Sequence, residues 1–427
     1  YNSGGSNTTA SSNTYVGANA GSINGSSFNT FVGANAGTGG TGDNNTFVGA
    51  GAGENTVAGS DNTFIGKQAG DVNQGNSNTF VGTDAGGANT TGVNNTFLGK
   101  GTGLLNTTGV NNTFVGMQSG GANTTATGNT FVGKGSGDAT TTGSNNSFMG
   151  LDAGGTNTTG HSNTFVGKEA GLANTVGVEN TFLGIDAGTT NISGNTNTFV
   201  GVRAGDVNTA SNNTFIGGDA GGGNVDGTGN VFIGRNAGDS NVSGDNNTLV
   251  GNNSDVLSGT NNVVLGNAAS SNTSNKVRLG NTAITVVEGQ VNYTASSDAR
   301  FKRHVTENVP GLDFITRLRP VTYTWDIPAM SQHLLEYQDP TLDAAKAQAS
   351  QIVYTGFLAQ EVETTAQSIG YDFSGVVTPK SEHDTYGLRY AEFTVPLVKA
   401  IQEQQVIIQA LQEQITALSA RLDQLED

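Results

Sequence analysis

Asn112-Thr113-Phe114-Val115-Gly116-Met117-Gln118-Ser119-Gly120 decides the fold of the larger part of this 427-residue chain, because it is one copy among many. The same core returns with its aromatic at Tyr15, Phe31, Phe47, Phe64, Phe80, Phe97, Phe114, Phe131, Phe148, Phe165, Phe182, Phe199, Phe215 and Phe232, in steps of 16 or 17 residues. Leu249 and Val264 take the place in the next two copies, and the pattern fades at Leu279-Gly280. The consensus reads N-T-F-V-G-x-x-A-G-x-x-N-T-T-G-x-N. Self-similarity at a short fixed period is the signature of a repeat architecture.

Each copy supplies a short β-rich segment, an Ala-Gly step and a polar turn of Asn, Thr and Gly, residues that tolerate the positive φ of tight corners. Gly/Asn/Thr-rich sequence often stays disordered, but strict phasing of an apolar pair argues for a mainly β chain that stacks one coil per repeat, a parallel β-roll or solenoid. A three-sided helix needs about 18 residues and three apolar positions per turn. Here the apolar content clusters in Phe-Val and one Ala, which predicts a flattened two-strand roll. Neighbouring strand residues point to opposite faces, so Phe fills the thin core and Val needs a partner outside it. That predicts an oligomer. The repeat also resembles the heads of trimeric autotransporter adhesins, in style rather than in length. At ~4.8 Å per strand, sixteen or so coils give a rod of roughly 75–80 Å.

Chemistry is scarce in this rod. Lys67, Lys100, Lys134 and Lys168 follow the motif Gly and read as solvated outer positions. Asp84, Asp152, Asp186 and Asp219 recur two residues after it, but the calcium-binding nonapeptide G-G-x-G-x-D is not repeated. Drift of the Thr positions between copies counts against stacked ladders that order water or ice. Asn-x-Thr triplets follow from the repeat and carry little about glycosylation. A stiff spacer or receptor-binding shaft is the expected role.

Composition bounds the rest. The excess of 35 Asp+Glu over 18 Lys+Arg argues against nucleic acid as a partner. With no cysteine there is neither a disulfide framework nor a thiolate metal site; no cofactor and no metal are expected. No stretch reaches the ~20 apolar residues of a membrane span. The chain opens on Tyr1 rather than Met, which is compatible with a removed leader or upstream domain. Residues 1–290 hold 60 of the 65 glycines and none of the 6 prolines, so the character of the chain changes near 290. The domains expected are a β-roll shaft at 1–285, a small α+β domain at 286–396 and a coiled-coil helix at 397–427.

After the rod comes Ala295-Ser296-Ser297-Asp298-Ala299-Arg300-Phe301-Lys302, then globular pattern. Pro310 starts a short helix through Leu318, and Pro320 stops it. Val321–Trp325 alternates like a strand, a polar insertion fills 327–350, and Tyr354–Ala359 reads as a strand leading into a helix at Gln360-Glu361-Val362. Val376-Val377 and Tyr386–Tyr390 read as short strands, with Trp325, Phe357 and Tyr390 placed in the core. S-D-x-R-x-K, then L-R-P-V-x-Y-x-W, then G-F-L-A-Q-E-V, then a Tyr-rich strand and a long helix, together resemble the intramolecular chaperone of endosialidase over about residues 292–427. That family of self-cleaving peptidase domains ends phage tail fibres, tailspikes and some bacterial surface proteins.

The resemblance implies a domain that helps three chains fold and then cuts itself off just before the Ser of S-D-x-R-x-K. In this chain the scissile bond falls between Ser296 and Ser297, with Ser297 as nucleophile and Lys302 as its base, a single-turnover serine endopeptidase. A Ser hydroxyl needs a neighbour to take its proton, and a Lys serves when burial or nearby cations favour its neutral form. Arg300 and Arg303 are placed to add cationic pressure, Asp298 and Glu361 to orient or handle protons, and Gln360 to donate to an oxyanion. Ser296 beside Ser297 leaves the register open by one residue. His304 and His383 read as solvated or structural.

From Leu397 the pattern steps 4, 3, 4, 3, with Ile401, Ile408, Ile415 and Leu422 at a and Leu411, Leu418 and Leu425 at d; Gln404 is the polar d residue. Ile at a with Leu at d favours two strands, whereas the two resemblances imply three, and three is the expectation adopted. The chain is thus read as a homotrimeric extracellular fibre, on a virion tail or a bacterial surface, with a cell-surface receptor or glycan as its outside partner. The alternatives are a non-cleaving trimeric adhesin with a permanent clamp and an ice- or carbohydrate-binding solenoid.

Overall fold

The computed structural model describes residues 2–40, 42–257 and 259–426, the side chain of residue 426 excepted. Tyr1, the position on which a removed leader was read, lies outside the described residues. Two compact units make up the chain, divided between Gly280 and Asn281.

The first unit is a parallel solenoid whose coils each contribute one three-residue strand, such as Thr113–Val115, to a single 17-stranded sheet. Register is kept coil to coil: Thr96, Thr113 and Thr130 are partners, as are Phe97, Phe114 and Phe131. From Phe31 to Phe232 the aromatic points inward and is fully buried. Successive rings stack with centroids 4.6–4.9 Å apart and planes within 13° from Phe31 to Phe232. The residues before and after it face outward. Leu98, Met149 and Leu183 are 46–52% exposed, so the second apolar row has no partner among the described residues.

The flattened two-strand roll does not form along most of the rod; a second two-stranded sheet occurs at Asp255–Val256 with Ser270–Ser271. Its place is taken by turns. In the coil around Phe114, Asn111, Gln118 and Gly120 all have φ between 57° and 59°, and Gly116 has φ 133°. Left-handed residues at this density break any extended run. Gly120 is required for a second reason, since a Cβ there would lie 2.5 Å from the Phe114 ring.

Nor is the Asn-rich part a solvated turn. Two of the three consensus asparagines, represented by Asn112 and Asn123, are buried in ladders, and the third, represented by Asn111, is exposed. Asn112 Oδ1 accepts from the Asn129 N–H at 3.0 Å, and Asn112 Nδ2 donates to the Ala126 carbonyl at 2.9 Å. Asn174 Nδ2 donates to Asn157 Oδ1 at 2.9 Å. Buried amides need such partners, and stacking equivalent residues supplies most of them, though Asn123 Oδ1 and Asn174 Oδ1 are buried without one. The strand threonines do not drift as expected: they stand in register on the outer face, with Ser147, Val231 and Val263 substituting.

Asp84, Asp152, Asp186 and Asp219 have a backbone cause. Each sits at φ 53–59°, in the left-handed region that Asp and Asn tolerate better than other side chains. Asp152→Gly should therefore leave rod stability within ~0.5 kcal/mol of the parent or raise it, while Asp152→Val should cost ~1–2 kcal/mol. Denaturant midpoints of the two variants check this; equal midpoints would remove the backbone explanation.

The second unit is small and mixed. Helix α1, Leu312–Ile315, is capped by the long helix α5, Thr394–Glu426: Glu403 accepts from the Leu312 N–H at 2.7 Å. Phe314 from α1, Val362 and Ala366 from α4 (Ala359–Ser368), Phe373 and Phe393 form the core. Strands Val321–Tyr323 and Tyr354–Gly356 pair antiparallel, as do Val376–Val377 and Gly387–Leu388. The expected polar insertion is helical, with α2 at Ile327–His333 and α3 at Asp343–Ala349. Asp326 caps α2 by accepting from the Ala329 N–H, a start signal that the insertion's polarity hid. Along α5, Ile401, Ile408, Leu411, Ile415, Leu418 and Leu422 are 41–65% exposed, an apolar stripe without a partner among the described residues. No helix among the described residues is long and apolar enough to cross a membrane.

Candidate functional site

The Ser297–Lys302 stretch lies within an extended arm, Ile284–Asn308, that is exposed throughout. One 3₁₀ turn, Ala299–Phe301, interrupts it. Asp298 starts the turn, its carboxylate accepting from the Arg300 N–H at 2.9 Å, and Lys302 ends it, its N–H donating to the Ala299 carbonyl. The turn brings together two side chains five residues apart: Lys302 Nζ donates to Ser297 Oγ at 2.7 Å. A nucleophile and a basic group in hydrogen-bond reach are the minimal pair for acyl transfer.

The arginines are occupied elsewhere. Arg300 forms a two-pronged pair with Asp298, at 2.7 Å at its closest, and lies over the Phe301 ring. That guanidinium, with the Arg300 N–H, holds the Asp298 carboxyl below the usual carboxylate range. Arg303 donates to the carbonyls of Arg300 and Lys302. Both arginines thus shape the turn, and Asp298 serves it as an anion and cap.

Glu361 and Gln360 belong to the first turn of α4. Glu361 pairs with Arg319 at 2.5 Å, and this hydrogen-bonded guanidinium holds its carboxyl low. Among the described residues no hydrogen bond or ion pair joins Gln360 or Glu361 to Ser297 or Lys302. Within one chain, then, the structure assembles the Ser–Lys pair and leaves the other two apart from it. Gln360 lines an open cleft of about 820 Å³ together with Tyr323, Trp325, Phe357 and Tyr390. Trp325 and Tyr390, expected in the core, are 43% and 49% exposed here. The Tyr390 hydroxyl accepts from the Phe357 N–H at 3.1 Å, which fixes the wall of the cleft. Arg319 was missed as the partner of Glu361, although it stands in the L-R-P motif; 42 residues separate the two.

Residues 297–371 match the family model described as the chaperone of endosialidase. The match opens on Ser297 and takes in the Ser–Lys turn, the antiparallel pair of Val321–Tyr323 with Tyr354–Gly356, and α4. The resemblance carried by the motifs is borne out over that span. No curated protein matches the chain. A β-solenoid followed by a chaperone-of-endosialidase domain is the make-up of a fibre- or tailspike-like protein.

Proposed function

We propose that the chain is a homotrimeric fibre, of a virion tail or a bacterial surface, whose C-terminal domain drives trimer folding and then cuts once between Ser296 and Ser297. The observation that carries this reading is the 2.7 Å hydrogen bond from Lys302 Nζ to Ser297 Oγ. Ser297 follows the scissile bond, so attack of its Oγ on the Ser296 carbonyl carbon moves the acyl group from nitrogen to oxygen. Lys302 takes the hydroxyl proton, and the departing nitrogen of Ser297 gains one. Water then hydrolyses the ester, leaving a carboxylate on Ser296 and an amine and a free hydroxyl on Ser297.

A lysine accepts a proton only when neutral, and loss of solvent favours that form. Both side chains are exposed in the single chain, so packing of neighbouring copies over the arm would supply the burial, and cutting would follow assembly. Two unpartnered apolar surfaces support assembly: the outer row of the rod and the heptad stripe of α5. Removing apolar surface from water is the main drive for association. Three copies fit a rod that turns one apolar row toward a common axis, against the dimer preference of Ile at a and Leu at d.

Intact mass of the purified chain beside Ser297→Ala tests the reading. Two fragments meeting at Ser296/Ser297 in the parent, one mass in the variant, and a threefold assembly by light scattering are expected. A single uncut mass in both would remove the peptidase and leave a permanent clamp. Thermal hysteresis by the rod would instead point to the outer threonine row as an ice-binding face.

A further inference from the structure

A buried polar cluster lies away from the Ser–Lys turn. Ser331 on α2, Lys346 on α3 and Glu336 between them are 1%, 6% and 3% exposed. Lys346 Nζ donates to Ser331 Oγ at 2.6 Å, Ser331 donates to Glu336 Oε2 at 3.0 Å, and Lys346 Nζ stands 3.6 Å from the same carboxylate. A serine beside a lysine invites a second catalytic reading, but here the serine proton is already donated to Glu336. Both oxygens of Glu336 also receive Thr282, its N–H at 2.9 Å and its hydroxyl at 2.6 Å.

Thr282 is the unexpected member. It lies upstream of the proposed scissile bond, two residues beyond the last residue of the rod, yet it belongs to the C-terminal compact unit. Asn281 and Thr282 are 8% and 7% exposed. A tight turn presents them, Asn281 Oδ1 accepting from the Ala283 N–H at 2.8 Å. From Ile284 to Asn308 the chain is exposed. A cut before Ser297 therefore severs no buried contact.

We propose that Glu336, Ser331 and Lys346 form a socket for Thr282, which keeps the rod fragment docked on the C-terminal fragment after the chain between them is cut. Covalent release and physical separation are then two events. The first cuts the exposed arm. The second withdraws Thr282 from Glu336 and takes two donors, the Thr282 N–H and hydroxyl, from that buried carboxylate, which is unfavourable in a low-dielectric site. The order of donation makes the socket selective for a residue offering both an N–H and a hydroxyl, hence Thr or Ser in a turn.

The position of the cut rests on the function proposed above, so the test supplies its own. In the full-length Ser297→Ala chain, a recognition sequence for a site-specific protease replaces residues 289–295. After digestion the two fragments are expected to co-elute in native size exclusion. Thr282→Val, which leaves the C-terminal fragment untouched, should speed their separation at least about tenfold, the effect of losing one hydrogen bond to a charged group. Glu336→Gln should act in the same direction. Fragments that part at once with Thr282 intact, or that hold equally well with Thr282→Val, overturn the socket. Failure of the parent to cut itself would be read separately by mass and leaves this comparison standing.

Discussion

Lys302→Met is expected to slow self-cleavage by roughly 10²–10⁴-fold, the usual contribution of a positioned general base. Lys302→Arg should fail just as badly. A guanidinium still donates to Ser297 Oγ and keeps the charge, but it stays protonated and has no lone pair to offer. The pair of variants separates chemistry from shape: an arm held in place only by the 2.7 Å hydrogen bond would tolerate Arg. A time course of fragment appearance for both variants beside the parent reads the effect. Cutting by Lys302→Arg at the parental rate would end the dyad assignment.

Phe131→Ala should cost the rod about 3–5 kcal/mol for a buried aromatic, with ~0.5–1.5 kcal/mol more for each lost stack. Phe131 stacks on Phe114 at 4.8 Å and on Phe148 at 4.9 Å. Little can collapse into the hole, because Gly137 faces the ring from one side with no side chain to extend and φ of 58°. In a solenoid each coil touches only its neighbours, so the loss is local, and the rod should open near the substituted coil before it melts as a whole. Hydrogen exchange at residues 113–150 is the direct readout, and protection equal to the parent's there would contradict the stack as the main source of cohesion. Tyr15→Ala, at the half-buried end of the same stack, should cost distinctly less.

Much of the rod was legible because its signal is repeated. Phe and Val in adjacent positions must face opposite ways, and the structure buries Phe and exposes the residue after it. The number of strands per coil was not legible. Left-handed φ at Asn111 and Gln118 is a property that Asn and Gln permit without requiring, and a buried Asn looks like a turn Asn until its ladder partner is in place. In the C-terminal unit the strands and α4 followed their local patterns. Trp325 and Tyr390 did not, since aromatic residues mark a cleft wall as readily as a core. Ser297 and Lys302 could be found because they are five residues apart in a known motif. Thr282 and Glu336 are separated by 54 residues with no motif between them.

Coils of 16 and 17 residues alternate irregularly, yet the Thr-Phe-Val partners never slip: Phe64 pairs with Phe80 and Phe80 with Phe97. The odd residue is absorbed in the turns. Any coil can therefore succeed any other, and the two ends of the rod do not register how many lie between them. Unequal recombination within so repetitive a coding sequence would add or delete whole coils, each changing the reach of the shaft by ~4.8 Å. Distance to the target is in that sense an inherited quantity counted in integers, adjustable without redesigning either end.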